Sequence, residues 1–224
     1  MSFDAHDPGV VGAFWGGMLG REVVEEARGV LVPGDETQVG LRFVEETTEK
    51  SRRNRLHLHL ASATSDEQSA VVQAVLRLGG RRRGTRPLPV DRDIYMADPG
   101  GNGFCVIKPG NDYLAGCGLL AEVTCDGSRQ VGRFWRDALG WSIVWDHGDQ
   151  VAIQSPAGGT KIAWDRWPAA PTASRYGQRF DLAASDLTAE VERLVAFGAT
   201  LLGDRDDGVA LADPDGVEFS VSRD

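Results

Sequence analysis

Apolar residues recur along the chain with two alternating periods, and their order defines four similar blocks. The third block is the clearest. Residues 118–125 read as a strand with partial alternation, and Asp126 stands where a helix N-cap belongs. Val131, Phe134, Trp135, Ala138 and Leu139 then fall at i, i+3, i+4, i+7 and i+8, one helical face, and Gly140 stops the helix. Short strands are expected over 142–146, 150–154 and 160–164, with Gly148-Asp149 and Ala157-Gly-Gly159 as turns. The order then restarts. A strand is expected over 178–184, followed by a helix capped by Ser185 or Asp186, with Leu187, Val191, Leu194 and Val195 on its apolar face. Strands over 200–202, 208–212 and 217–221 complete the block, the last two joined by Asp213-Pro-Asp-Gly216, which suits a type I turn. The unit is βαβββ. The first half of the chain follows the same plan, with helices near 10–19 and 66–78 and a first strand that looks cut short before Asp7-Pro8.

The halves also repeat in residue identity. Val11-Gly-Ala-Phe-Trp-Gly-Gly-Met-Leu-Gly20 returns as Val131-Gly-Arg-Phe-Trp-Arg-Asp-Ala-Leu-Gly140, and Met96-Ala-Asp-Pro-Gly-Gly-Asn-Gly-Phe-Cys-Val106 as Leu211-Ala-Asp-Pro-Asp-Gly-Val-Glu-Phe-Ser-Val221. Two segments repeating in order at nearly one offset indicate duplication of a whole small domain, a period too long for a solenoid. The expected division is 1–110 and 115–224, with a short joint near 109–113 that carries turn residues and no periodic pattern.

Composition narrows the partners. A formal net charge of −9 and a pI near 5.0 argue against nucleic acid, and the short run Arg81-Arg82-Arg83 does not overturn that. No apolar stretch approaches a membrane span, and the first ten residues have no signal-peptide pattern. Cys105, Cys117 and Cys125 are odd in number and match no zinc spacing, so free thiols in a reducing cytoplasm are expected. None has a legible histidine partner that would mark it as a nucleophile. No Gly-x-Ser-x-Gly, phosphate loop or dinucleotide fingerprint is present.

Three motifs carry a resemblance: Phe14-Trp15…Leu19-Gly20, Asn54-Arg55-Leu56-His57-Leu58-His59-Leu60, and Asp98-Pro99…Gly101-Asn102-Gly103-Phe104. With the four βαβββ modules, they resemble the vicinal oxygen chelate superfamily, in its glyoxalase-like, bleomycin resistance and dioxygenase branch. The resemblance implies an α+β fold of two tandem domains, each a pair of modules forming a curved mixed sheet with helices outside. It also implies a pocket on that sheet. In the family's enzymes a divalent metal sits there, held by His, Glu or Gln side chains from the first and last strands of the modules.

Carried residue by residue, that pattern is incomplete in each half. His57 stands at the first half's histidine position and His59 shares its face, but the matching carboxylate position is Gly103. Nearby, His6, Glu45 and Glu46 offer further donors. In the second half Glu218 fills the carboxylate position, while the histidine position is Arg179 and the first-strand position is Leu119. An Arg179–Glu218 salt bridge is therefore expected in place of a metal. The plain reading of His57 and His59 is a hydrogen-bonded strand pair, and that of Arg179 with Glu218 is a cross-strand ion pair. Phe14, Trp15, Phe134 and Trp135 read as core. Trp141, Trp145, Trp164 and Trp167 read as core or interface, or alternatively as the lining of an aromatic pocket.

Two functional readings follow. The first is a protein that binds a small organic ligand in a pocket built from His57, His59, Arg179, Glu218, Trp145 and Trp164, without a complete metal site. The second is a divalent-metal-dependent lyase, isomerase or dioxygenase using His57 and His59. The expected partner is a small molecule, with neither nucleic acid nor membrane involved, and the sequence leaves monomer and homodimer open.

Overall fold

The computed structural model describes residues 1–46, 55–84, 92–165, 177–205 and 208–223. They form four α-helices and mixed sheets arranged as four modules, an α+β fold. Module one runs β1 (Ser2–Ala5), α1 (Pro8–Leu19), β2 (Val24–Glu26), β3 (Gly29–Val32), β4 (Leu41–Glu45). Module two runs β5 (Leu56–Leu60), α2 (Ser65–Arg77), β6 (Arg81–Arg82), β7 (Ile94–Ala97), β8 (Gly103–Val106). Module three runs β9 (Leu120–Cys125), α3 (Arg129–Leu139), β10 (Ser142–His147), β11 (Gln150–Gln154), β12 (Lys161–Trp164). Module four runs β13 (Gln178–Arg179), β14 (Asp181–Ala184), α4 (Leu187–Ala196), β15 (Thr200–Arg205), β16 (Gly208–Ala212), β17 (Glu218–Arg223). Among the described residues no helix is long and apolar enough to cross a membrane.

The repeated residues build equivalent structures. Gly20 and Gly140 end α1 and α3 in left-handed conformation, at φ 66° and 65°, as the sequence led us to expect. Gly12 and Gly132 let the two helices lie directly on the sheet, because a Cβ there would overlap Val30 and Val151 respectively. The N-cap of α3 differs from expectation. Ser128, not Asp126, accepts from the Val131 amide at 3.2 Å, and its own hydroxyl donates to Asp215 at 2.7 Å, which fixes the helix to the turn before β17.

The two repeated segments of each half also touch one another. Phe14 and Trp15 pack edge-on at 5.2 Å, and Phe134 and Trp135 at 5.3 Å. Trp15 meets Phe104 at 5.1 Å while its indole donates to buried Asp98 at 3.1 Å. Trp135 meets Phe219 at 4.9 Å and donates to buried Asp213 at 3.4 Å. Each half thus closes on one aromatic cluster and one indole–carboxylate bond.

The sheets, by contrast, join modules across the halves. In the eight-stranded sheet, ordered β10-β11-β12-β9-β5-β8-β7-β6, the middle seam is β5 antiparallel to β9, with His59 opposite Glu122. Modules two and three therefore share one continuous sheet. Modules one and four meet where β1 runs antiparallel to β13, with Ser2 opposite Arg179. The strand expected over 178–184 is two strands. Phe180 turns into the core against Trp135 at 4.7 Å, β13 pairs with β1, and β14 continues parallel to β17. The first strand of the chain is not cut short in function, since β1 pairs on both sides, with β13 and with β4.

The aromatic clusters yield a stability test. Burial pushes the Asp213 carboxyl up to about 6, against the hydrogen bonds from the Val217 amide and the Trp135 indole that favour its charged form. Its folded pKa thus lies above the unfolded value, so its contribution to stability falls as pH rises from about 4 to about 6. Removing the indole donor should aggravate this where the carboxylate is charged. Trp135→Phe is expected to cost about 1.5–3 kcal/mol at pH 7.5 and clearly less at pH 5, read by urea denaturation. Equal costs at the two pH values would show that the bond to Asp213 contributes nothing specific.

Candidate functional site

A cleft of about 1010 Å³ lies where modules one and four face each other. Alternation along β1 buries Phe3 and Ala5 and turns Ser2 and Asp4 to the cleft. The same rule buries Leu41 and Phe43 on β4 and turns Arg42 to it. Arg179 and Asp181, two apart, point the same way, as do Glu218, Ser220 and Ser222 of β17.

These side chains form one network. Arg179 Nη1 lies 3.3 Å from Asp4 Oδ1, and its Nε lies 3.4 Å from Asp181 Oδ1. Asp181 also accepts from the Ser2 hydroxyl and, at 2.5 Å, from the Ser220 hydroxyl, and it lies 3.7 Å from Arg42. Arg42 in turn grips Glu26 with two donors, at 2.7 and 3.1 Å. Glu218 pairs with Arg205. Among the described residues the buried Gln178 Nε2 has no hydrogen-bond acceptor, while Gln178 Oε1 accepts from the Leu56 amide at 2.9 Å.

A second polar cluster lies on the sheet shared by modules two and three. Leu56, Leu58 and Leu60 are buried on one face of β5, so His57 and His59 occupy the other. His59 Nδ1 lies 2.8 Å from Glu122 Oε2, and Thr124 bonds to both. Burial opposes a charged imidazole here. The hydrogen bonds to Cys105 and Glu122 and the Glu122 charge outweigh it, so the His59 pKa is raised to about 9. Burial likewise opposes a charged Glu122, but its bonds to His59, Tyr113 and Thr124 hold it below the usual carboxylate range. The pair is an imidazolium and a carboxylate. Tyr113, from the connection between β8 and β9, hydrogen-bonds to Glu122.

The six pocket residues read from the sequence divide among three places. Arg179 and Glu218 line the cleft. His57, His59 and Trp145 belong to the shared sheet of modules two and three, where Trp145 packs edge-on to Tyr113 at 5.8 Å. Trp164 is buried core, against which α3 packs at Gly132. Trp167 lies outside the described residues. The expected Arg179–Glu218 bridge is corrected: the chain bends at Phe180, β13 leaves to pair with β1, and Arg179 finds Asp4 and Asp181 instead. The carboxylate facing His59 is Glu122, opposite it on β9, and the first-strand position assigned to Leu119 lies just before that strand. At Gly103, the expected carboxylate position, the missing Cβ makes room for the Arg83 guanidinium.

Sequence reasoning passed over Asp4, Arg42, Asp181, Glu122 and Tyr113. A signal existed for three of them. Asp4, Asp181 and Glu122 are acids placed within short apolar strands, which is uncommon unless they are paired. Tyr113 gave no signal, because its place depends on where the connection crosses the sheet.

Among the described residues neither cluster presents a donor set that fits a divalent metal. In the cleft the oxygen donors Asp4, Asp181, Glu26 and Glu218 are each engaged by a guanidinium, and Arg179 puts a fixed positive charge among them. On the other sheet the nearest donors, His59 and Glu122, bond to each other. Among the described residues no group of three or more His, Cys, Asp or Glu side chains is arranged to hold a metal ion.

The model of the glyoxalase-like domain family matches residues 1–107 and 121–222. No curated protein matches the chain. Among solved structures, glyoxalase I from Zea mays is similar with a TM-score of 0.64 and 11% identity, covering 99% of this chain and 90% of its own. A putative dioxygenase from Bacillus subtilis has a TM-score of 0.58 and 12% identity, covering 100% of this chain and 84% of its own. At these identities the likeness concerns the fold.

The His59–Glu122 pair makes stability depend on pH. The His59 pKa is raised above its unfolded value, so its contribution is complete below about 6.5 and is lost as pH rises through about 9. The Glu122 pKa is lowered, so its contribution is present above about 4.5 and is lost at lower pH. Urea denaturation should show wild type losing stability on the order of 3 kcal/mol or less between pH 6.5 and 9. His59→Gln should remove most of that slope, and an unchanged slope would show that the imidazole is not charged in the fold.

Proposed function

The chain belongs to the glyoxalase-like domain family, and from that premise we propose that the cleft between modules one and four binds a small organic anion, with arginine guanidinium groups in place of a divalent metal. The observation that carries this reading is the position of Arg179. It reaches Asp4 on the first strand of module one and Asp181 on the first-strand segment of module four. The family resemblance puts a metal among the first and last strands of paired modules, and here a guanidinium stands among them. Its charge does not titrate at ordinary pH, so it can polarise a carboxylate or carbonyl oxygen without bound metal.

The polar groups of the cleft support an oxygen-bearing ligand. Arg179 and Arg42 bring two guanidinium groups to the cleft, and their fixed, forked donors suit a carboxylate or enolate oxygen. Such an oxygen would accept from the guanidinium donors that line the cleft. Asp181 accepts from Ser2 and Ser220 and lies beside both Arg179 and Arg42. Asp4 and Asp181 therefore act as positioning groups that fix the guanidinium, while Arg179 and Arg42 face the ligand.

Benzoate and pyruvate are suitable probes. Thermal shift and calorimetry are expected to detect saturable binding of at least one, lost in Arg179→Leu and reduced in Arg42→Leu. Arg179→Leu should itself destabilise the protein by about 2 kcal/mol, because it leaves half-buried Asp4 without its partner. Dialysis against Mn²⁺ followed by metal analysis should give substoichiometric metal. Stoichiometric Mn²⁺ that disappears in Asp4→Asn would overturn the reading, as would carboxylate binding that survives Arg179→Leu unchanged.

A further inference from the structure

We propose that the sheet shared by modules two and three carries a second ligand site, for a small phenol, and that the connection between β8 and β9 keeps it closed by placing Tyr113 in it. This site shares no residue with the cleft and does not depend on what the cleft binds.

The argument starts from the cost of the polar face. His59 and Glu122 form an ion pair in the middle of an eight-stranded sheet, with Thr124 and Cys105 beside them. An apolar pair of similar volume would hold two strands together as well or better. The face is thus polar beyond what packing needs. Among the described residues no connection lies across the corresponding meeting of modules one and four, whereas here the turn Asp112–Leu114 brings Tyr113 onto the face, beside Trp145 and Lys161.

The covering group is recognised as a ligand would be. Tyr113 sits in a single 3-10 turn, Asp112–Leu114, that belongs to none of the four modules. The Lys161 ammonium lies 4.0 Å from the ring centroid and donates to the Tyr113 backbone carbonyl. Trp145 meets the ring edge-on at 5.8 Å. The hydroxyl is beside Glu122, and burial together with that charge pushes the phenol's pKa up, keeping it a neutral donor. A cation over the ring, an aromatic wall and a carboxylate at the hydroxyl define a phenol site.

The connection is also built to come away. Tyr113 is only partly buried, and Asn111, Asp112, Ala115 and Gly116 around it are exposed. Farther along it is anchored, by buried Leu114 and by the Cys117 carbonyl, which accepts from Gln38 at 2.7 Å. Lifting Tyr113 therefore needs a local change at 111–113 and leaves the modules in place. A phenol in solution competes with an internal one, so wild-type affinity is reduced by the closed fraction.

The test uses the full chain and p-cresol, the side chain of tyrosine as a free molecule. Tyr113→Ala is expected to bind one p-cresol by calorimetry, with quenching of tryptophan fluorescence and a raised Tm, at an affinity at least about tenfold tighter than wild type. Toluene should bind the variant more weakly than p-cresol, and adding Glu122→Gln should remove that preference. Toluene and p-cresol binding alike would overturn the proposal, since a plain packing cavity behaves that way. If Tyr113→Ala does not fold, hydrogen exchange of wild type decides. Excess p-cresol should speed exchange at 111–116, and unchanged exchange there overturns the proposal.

Discussion

Both polar faces of the molecule follow from one seam, the antiparallel pairing of β5 with β9. Once that pair forms, modules two and three become a single sheet, and modules one and four are left to meet through β1 and β13. The helical side of each half is satisfied separately, by its aromatic cluster and indole–carboxylate bond. Packing thus holds modules together within a half, while hydrogen-bonded strands join modules across halves. The two faces where the strands meet collect the ion pairs, while the helical side holds one buried carboxylate in each half, bonded to an indole.

Those two faces solve the same electrostatic problem differently. First strands supply the carboxylates, Asp4 and Asp181 in the cleft and Glu122 on the other sheet, and each face places a protein cation beside them. In the cleft the cation is a guanidinium, fixed in charge and held by Asp4 and Asp181. On the other sheet it is an imidazolium held by Glu122, whose charge depends on pH. Among the described residues no segment covers the cleft. The other face is closed by a connection whose tyrosine sits between Lys161 and Trp145. A duplicated architecture therefore carries one open and one closed face.

Much of this was legible in the chain, and the limit has a clear physical cause. Helical periodicity at Phe14-Trp15 and Phe134-Trp135, the glycine stops and the Asp-Pro turns identified the modules, because those signals are local. Alternation also reports which residues share a face, so Arg179 and Asp181 could be paired from sequence. It does not report which strand lies alongside. The Arg179–Glu218 expectation assumed that the strand over 178–184 stays with its own module. The parallel register of β14 with β17, Asp181 opposite Ser220, would extend to place Arg179 beside Glu218. The break at Phe180, set by the space beside Trp135, sends β13 to β1 instead. Glu122 escaped notice for the same reason: its partner His59 lies across the seam between halves.

The central claim is that Arg179 is the resident cation of the cleft and the group that meets the ligand. The most direct measurement is the NMR signal of the Arg179 Nε–H group, assigned by loss in Arg179→Leu and followed during titrations. The account predicts that benzoate or pyruvate shifts this resonance saturably while Mn²⁺ at equimolar concentration leaves it sharp. Paramagnetic broadening by equimolar Mn²⁺, with no response to either carboxylate, would contradict it.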